Sequence, residues 1–158
     1  MKLGKLTEVD IRELWKHEQY DFSEWLSKED NIEMLSDEIG LTLTDVNKEV
    51  FVGSYRCDLV AKDETTGIKV IIENQLEATN HDHLGKIITY ASGLDANVVI
   101  WIVKEAREEH RSAIEYATLA VLDAIHTADS VSGLCQAIRT VLGRFMTIFS
   151  FKIGRAHV

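Results

Sequence analysis

The chain has 158 residues, 46% of them hydrophobic and 27% charged, which indicates a globular protein with a substantial core and excludes a disordered chain. The formal net charge is -9, and the sequence shows none of the basic character with which proteins usually neutralise phosphates. No run reaches the length of a membrane span and the N-terminus lacks the apolar core of a signal peptide, so we expect a cytoplasmic protein without a membrane partner.

Three helical segments are predicted before the first strand. The first spans Thr7–Gln19, and the second is a capped turn at Asp21–Leu26 whose large apolar residues share one face. We interpret that aromatic face as core packing and not as a base-stacking surface. The third segment spans Asn31–Ile39 and ends at Gly40, because glycine readily adopts the left-handed conformation that stops a helix.

The strand region follows. Leu41–Asp45 predicts a first strand and Val46–Glu49 a turn, while the short apolar segment Val50–Val52 fits either neighbouring strand. The stretch Tyr55–Gln75 predicts a β-hairpin, because strand-forming residues flank the turn sequence Asp63–Gly67.

The predicted hairpin carries one carboxylate on each strand. With a turn centred near Thr65 and Thr66, Asp58 lies across from Glu73. Two facing carboxylates repel each other unless a proton or a cation lies between them. Mg²⁺, or Mn²⁺ in its place, is the hard, oxygen-liganded cation that suits this pair.

Three elements are predicted after the hairpin. A helix spans about Asp82 to Leu94, with apolar residues at helical spacing. The nearly continuous apolar run Asn97–Val103 is typical of a central strand covered on both faces. Glu105–Tyr116 returns to a helical pattern with a charged outer face.

Asp58, the hairpin turn and the sequence Glu73-Asn74-Gln75 together resemble the motif of the PD-(D/E)XK nuclease superfamily. The similarity extends over roughly Glu8 to Tyr116, and three further segments carry it: Trp25-Leu26, Asp82 to Tyr90, and Glu109-His110-Arg111. The resemblance implies a restriction-endonuclease-like α/β fold, with a helix, a three-stranded antiparallel meander, a helix, a further strand and a final helix.

The same resemblance implies metal-dependent phosphodiester hydrolysis of nucleic acid, most often DNA. Asp58 and Glu73 are then the metal ligands, and the backbone carbonyl of Asn74 is a further one. In the superfamily the helix before the sheet often supplies another acid, a role that we give to Glu38, although a solvated helix charge explains Glu38 equally well. Glu49 is a second candidate acid.

Two departures from the superfamily pattern bear on catalysis. Gln75 stands where the usual lysine is found, and an amide can orient water but cannot act as a base. Lys86 stands where many members have the glutamine of a Gln-x-x-x-Tyr signature that ends here at Tyr90. One hypothesis is that Lys86 supplies the missing cation from the helix; the alternative is an ordinary solvated lysine. Lys86, Tyr90 and His83 are the expected contacts to nucleic acid.

A second functional class therefore stays open. The lost lysine and the acidic charge favour a binding or regulatory module in a defence or repair system that cleaves little, whereas Asp58 and Glu73 favour the nuclease. If nucleic acid is bound, the grip comes from a local patch, a second copy of the chain or a partner subunit.

Histidines and cysteines give no strong metal signal. His81 and His83 diverge at the start of a helix, without a predictable third ligand, which argues against zinc. Cys57 and Cys135 lack metal-ligand spacing and are interpreted as reduced structural thiols, with Cys57 in the core.

The C-terminal segment differs in character. We divide the chain into a nuclease-like domain at 1–116, a helical tail at 117–151 and an artefactual terminal segment at 152–158. The tail has two helical patterns and a strand-like segment at Phe145–Phe151. The last seven residues resemble a translated sequencing-adapter scar, so we expect the natural C-terminus to be missing and exclude them from functional reasoning.

Overall fold

A computed structural model describes residues 10–116 and the backbone of residues 145–150. Four helices have defined ends, α1 (Ile11–Leu14), α2 (Glu24–Leu26), α3 (Glu29–Ile39) and α4 (His81–Gly93), and residues 108–116 belong to a fifth, α5. A π-helical turn, Glu18–Ser23, leads directly into α2. The strands are β1 (Leu43–Val52), β2 (Tyr55–Asp63), β3 (Lys69–Ala78), β4 (Val98–Glu105) and β5 (Phe145–Ser150).

The strands form one mixed sheet in the order β1-β2-β3-β4-β5. The first three make an antiparallel meander, and α4 then crosses over so that β4 lies parallel to β3. This confirms the predicted α/β order of helix, meander, helix, strand and helix. The backbone of β5 pairs parallel to β4, so the sheet extends beyond residue 116, where we placed the end of the domain.

Each face of the sheet covers its own apolar cluster. On one face, Leu59, Ile72 and Ile100 pack under the N-terminal helices. On the other, Cys57, Ile71 and Trp101 pack under α4 and α5. Leu59 and Cys57 thus belong to opposite faces, although strand alternation would put both on one. This irregularity in β2 flanks Asp58.

The β2–β3 hairpin has the predicted register, with Leu59 opposite Ile72 and Ala61 opposite Val70. Its turn is held by Asp63, whose Oδ2 accepts hydrogen bonds from the Thr66 N–H at 3.0 Å and the Thr66 hydroxyl at 2.5 Å. Hydrophobic alternation and the turn residues predicted this register correctly because the two strands are adjacent in sequence.

The turn predicted at Val46–Glu49 is wrong. β1 runs unbroken through it, with an irregularity in pairing between Thr44 and Asn47. Asp45 and Glu49 both have positive φ angles, 50° and 55°. A β-bulge accommodates residues with positive φ angles without ending the strand. In addition, β1 lies at one edge of the described sheet, where polar side chains are tolerated. The real turn follows at Gly53, with φ 60°.

The single helix predicted at Thr7–Gln19 is also wrong in the part that is described, since α1 ends at Leu14 and Trp15 is extended. The Trp15 ring packs 5.1 Å from the ring of Phe22 and 5.0 Å from that of Trp25. This aromatic contact turns the chain back on itself, and tertiary packing overrides the helical pattern. Phe22 is buried, which confirms the core interpretation of the aromatic set.

Other boundaries agree closely. α3 ends at Gly40 with φ 69°, as predicted. The helix predicted at Glu105 starts later, at residue 108, because β4 extends through Glu105. Cys57 is a buried free thiol, as expected. Cys135, the two tail helices and the terminal segment lie outside the described residues. Among the described helices, none has the length and apolarity needed to cross a membrane.

Candidate functional site

The two predicted carboxylates lie where the β2–β3 hairpin splays apart. In the described sheet, paired register between these strands ends at Leu59 and Ile72. One residue further on, Asp58 Oδ2 accepts a hydrogen bond from the Asn74 N–H at 2.8 Å. The carboxylate thus replaces a ladder partner for the β3 backbone. Because the two strands separate here, the Asp58 carboxylate lies close to Glu73.

Glu73 is the most deeply buried acid of the site. It is 4% exposed, and its Oε2 has no hydrogen-bond partner among the described residues. Burial, followed by the charge of Asp58, raises the pKa of Glu73 to about 9. Burial also raises the pKa of Asp58 to about 7, against the opposing hydrogen bond from Asn74. A buried, unpaired carboxylate oxygen calls for a proton or a cation.

Glu18 is an acid of this site that sequence reasoning missed. Its Oε1 accepts hydrogen bonds from the Leu76 N–H at 2.9 Å and from Arg12 Nη2 at 3.0 Å. Its charge contributes to the raised pKa of both Asp58 and Glu73. Helical periodicity gave no signal for Glu18, because its partner Leu76 on β3 is far away in the sequence.

The residue chosen for that additional acid, Glu38, lies elsewhere. It is exposed on α3 and does not line the pocket around Asp58 and Glu73. The face of α3 that packs on the sheet carries Ile32 and Leu35 instead. Glu49, the second candidate, does line the pocket, and its carboxylate lies 3.4 Å from Arg56 Nη1.

The pocket has a volume of about 350 Å³ and is open to solvent. Residues from the π-helical turn, the meander and α4 line it: Glu18, Glu49, Ser54, Tyr55, Arg56, Asp58, Glu73, Asn74, His83, Lys86 and Tyr90. The lining therefore contains four carboxyl groups but only two cationic side chains, Arg56 and Lys86, so it is not the basic groove that binds many phosphates.

α4 contributes three predicted residues to one side of this pocket, His83, Lys86 and Tyr90. Lys86 Nζ lies 2.9 Å from Asp82 Oδ2; partial burial opposes charging of Lys86, but this contact and the charges of Glu73 and Asp58 raise its pKa overall. Burial lowers the pKa of His83, so the neutral imidazole is favoured at neutral pH. Burial also raises the pKa of the Tyr90 hydroxyl.

Gln75 does not line the pocket. Its side chain is buried, its Nε2 donates a hydrogen bond to the Ala78 carbonyl at 2.7 Å, and its Oε1 has no partner among the described residues. The water-orienting role expected for Gln75 therefore has no support from its position. Asn74 does line the pocket, and its Nδ2 donates to Ser23 Oγ at 2.8 Å. A strand residue presents N–H and C=O to the same edge, so the Asn74 carbonyl faces the Asp58 side.

The two histidines at the start of α4 diverge, as predicted. His83 lines the pocket, whereas His81 Nδ1 lies 3.0 Å from His110 Nε2. His110 is buried and its Nδ1 lies 2.7 Å from Thr79 Oγ1. His110, whose role the sequence left unassigned, thus connects α5 to the end of β3 and the start of α4.

A divalent cation such as Mg²⁺ requires a set of oxygen donors. Within the described residues, no three or more His, Cys, Asp or Glu side chains are arranged to hold a metal ion. Asp58 and Glu73 alone supply two carboxylates, and one of their oxygens has no partner. Mg²⁺ commonly binds one or two carboxylates and keeps several waters, so the pair fits Mg²⁺ or Mn²⁺ and not a fully protein-liganded zinc.

Comparisons with protein-family models, with curated proteins and with solved structures found no match.

Proposed function

We propose that the protein is a PD-(D/E)XK-type nuclease with a restriction-endonuclease-like fold. The protein hydrolyses phosphodiester bonds of nucleic acid, with DNA as the expected substrate, and Asp58 and Glu73 hold the Mg²⁺ or Mn²⁺ that the reaction needs. The observation that carries the proposal is the adjacency of the buried Glu73 carboxylate and the half-buried Asp58 carboxylate at the open end of the hairpin. Both have raised pKa values, and one Glu73 oxygen has no partner. A structural ion pair does not explain this arrangement, because no cationic side chain forms a salt bridge with either acid among the described residues.

Five residues of the pocket have a defined part. Asp58 and Glu73 hold the cation, with the Asn74 carbonyl on the same edge as a further ligand. A bound divalent cation would lower the pKa of a coordinated water and neutralise charge that develops on phosphate. Lys86 faces the same pocket and stabilises the phosphate electrostatically. Glu18 binds the Leu76 N–H and so keeps the splayed β3 edge open. We assign Gln75 no catalytic part.

The direct test is cleavage of nucleic acid by the purified protein. We expect it to cut supercoiled plasmid or single-stranded DNA in Mn²⁺ and then in Mg²⁺, and to lose this activity completely when EDTA is added. Product formation is followed on gels, with the Glu73→Ala protein prepared in parallel to exclude a contaminating nuclease. Cleavage that survives EDTA, or that is equal in both proteins, would contradict the proposal.

Lys86→Ala is expected to slow cleavage by about 100-fold, the usual effect of removing one group that stabilises transition-state charge. Metal binding should not weaken, since Lys86 is not a ligand. Lys62→Ala is the matched control: Lys62 is exposed, pairs with Asp45 at 3.0 Å and does not line the site pocket. A cleavage rate within about twofold of wild type for Lys86→Ala would remove Lys86 from the mechanism.

A second candidate function is a nuclease-fold module that binds nucleic acid and cleaves little. The observation that favours it is the position of Gln75, which leaves the pocket without a cation on the strand where the superfamily has its lysine. Binding without cleavage in either metal, by wild type and Glu73→Ala alike, would establish this module in place of the nuclease.

A further inference from the structure

The tip of the β1–β2 hairpin exposes two aromatic side chains beside the site. Val52 pairs with Tyr55 across the turn at Gly53 and Ser54, and Phe51 pairs with Arg56. Phe51 is 71% exposed and Tyr55 is 52% exposed. Because adjacent strand residues point to opposite faces, Phe51 lies on the face of Arg56 and Tyr55 on the face of Val52, so the two exposed rings flank the turn. We call Phe51, Tyr55 and Arg56 the hairpin tip.

Arg56 links the two properties of this tip. Its guanidinium carbon lies 5.8 Å from the centroid of the Phe51 ring, and Nη1 lies 3.4 Å from Glu49 Oε2. The guanidinium therefore lies over one face of the Phe51 ring, and arginine planes and aromatic rings are both groups that stack against nucleobases. Glu49 restrains the arginine in this position.

The hairpin tip is continuous with the candidate site. Tyr55 and Arg56 line the same pocket as Asp58 and Glu73. Tyr55 and Asp58 are separated by only two residues of one strand. A polymer whose backbone reaches the two carboxylates would therefore pass the hairpin tip with its neighbouring units.

Charge decides which part of a nucleic acid this surface can hold. The pocket has only two cationic side chains, Arg56 and Lys86, and the whole chain carries a net charge of -9. Binding through many phosphates, as duplex-tracking proteins do, requires a basic groove. Stacking on aromatic rings is independent of charge and contributes substantially for each base.

We infer that the hairpin tip binds unpaired nucleobases and that the substrate of the site is single-stranded nucleic acid. This inference rests on the proposed function for its substrate class and adds the strand form and the residues that recognise it. Tyr55, which lines the pocket, stacks on a base on one face of the hairpin, and Phe51 together with Arg56 stacks on a base on the other face. In a duplex those base faces are already covered by neighbouring bases, so duplex DNA gains little from the same contact.

Fluorescence anisotropy with a fluorescein-labelled, mixed-sequence single strand and the corresponding duplex tests this inference, with Ca²⁺ in place of Mg²⁺ to prevent turnover. Wild type should bind the single strand more tightly than the duplex. Phe51→Ala and Tyr55→Ala should each weaken single-strand binding by about tenfold, whereas Tyr55→Phe should retain it. Tyr116→Ala is the matched control, because Tyr116 is 74% exposed on α5 and does not line the pocket.

Several outcomes would overturn the inference: no single-strand preference in wild type, no measurable binding, or unchanged affinity in both alanine variants. A dimer that the variants convert to monomer in sedimentation, without lost affinity, would assign the hairpin tip to self-association instead. The result is separable from the nuclease proposal. Affinity that depends on Phe51 in a protein without cleavage supports the hairpin tip alone, and cleavage without that dependence supports the nuclease alone.

Discussion

Glu73→Gln is expected to lower metal-dependent cleavage by at least about 1,000-fold while leaving the fold intact. Glutamine has the shape of glutamate but no charge, and a catalytic cation contributes several kcal/mol of transition-state stabilisation that depends on its charged ligands. Asp58→Asn should have a similar effect, since asparagine Oδ1 can still accept the Asn74 N–H and keep the opened hairpin in place. Initial rates in Mn²⁺ and Mg²⁺ measure both losses.

Glu38→Gln is the matched control for these variants. It makes the same chemical change on the exposed face of α3, away from the pocket, so its rate should stay within about twofold of wild type. Far-ultraviolet circular dichroism shows whether each variant is folded. A folded Glu73→Gln protein that cleaves at the wild-type rate would be incompatible with the proposed site.

The second large effect is a loss of stability with rising pH in the metal-free protein. Both pKa values are raised above the ordinary range, Asp58 to about 7 and Glu73 to about 9, so the folded state binds more protons than the unfolded state. The stabilisation from this pair is complete below about pH 4, where both states are protonated, and is lost as pH rises toward about 9. Each unit by which a pKa is raised corresponds to about 1.4 kcal/mol, so the loss amounts to several kcal/mol.

Urea unfolding in EDTA, at several pH values between about 6 and about 9, measures this effect. The quantity of interest is the difference between wild type and Glu73→Gln, because other titrating groups, including His83, cancel in it. Relative to wild type, Glu73→Gln should become steadily more stable as pH rises. A difference that does not change over this range would show that Glu73 titrates normally and is not held in a buried pair.

The parts of the fold that depend on local partners were predictable from sequence. The hairpin register, which pairs Leu59 with Ile72 and so brings the next residues, Asp58 and Glu73, close together, follows from one turn and from alternation on two adjoining strands. α4 was predictable because its apolar residues recur at helical spacing, and with it came the shared positions of His83, Lys86 and Tyr90. In each case the residues that decide the structure are close in sequence.

The parts that were not predictable depend on distant contacts or on backbone irregularity. Glu18 reaches the site because Trp15 packs on Phe22 and Trp25 and breaks the expected helix, which periodicity cannot show. Gln75 shares a strand face with Glu73 in an ideal strand, yet its amide bonds the Ala78 carbonyl and leaves the pocket. The polar residues at the bulge in β1 are typical of a turn, so the sequence did not show that the strand is continuous.

The central claim is that Asp58 and Glu73 together bind the divalent cation used for hydrolysis. Titration with Mn²⁺, followed by the loss of the free-ion electron paramagnetic resonance signal, tests it without any substrate. We predict that wild type and Glu38→Gln bind Mn²⁺ and that Mg²⁺ displaces it from both. Glu73→Gln should not bind Mn²⁺. Equal Mn²⁺ binding by wild type and Glu73→Gln would contradict the claim.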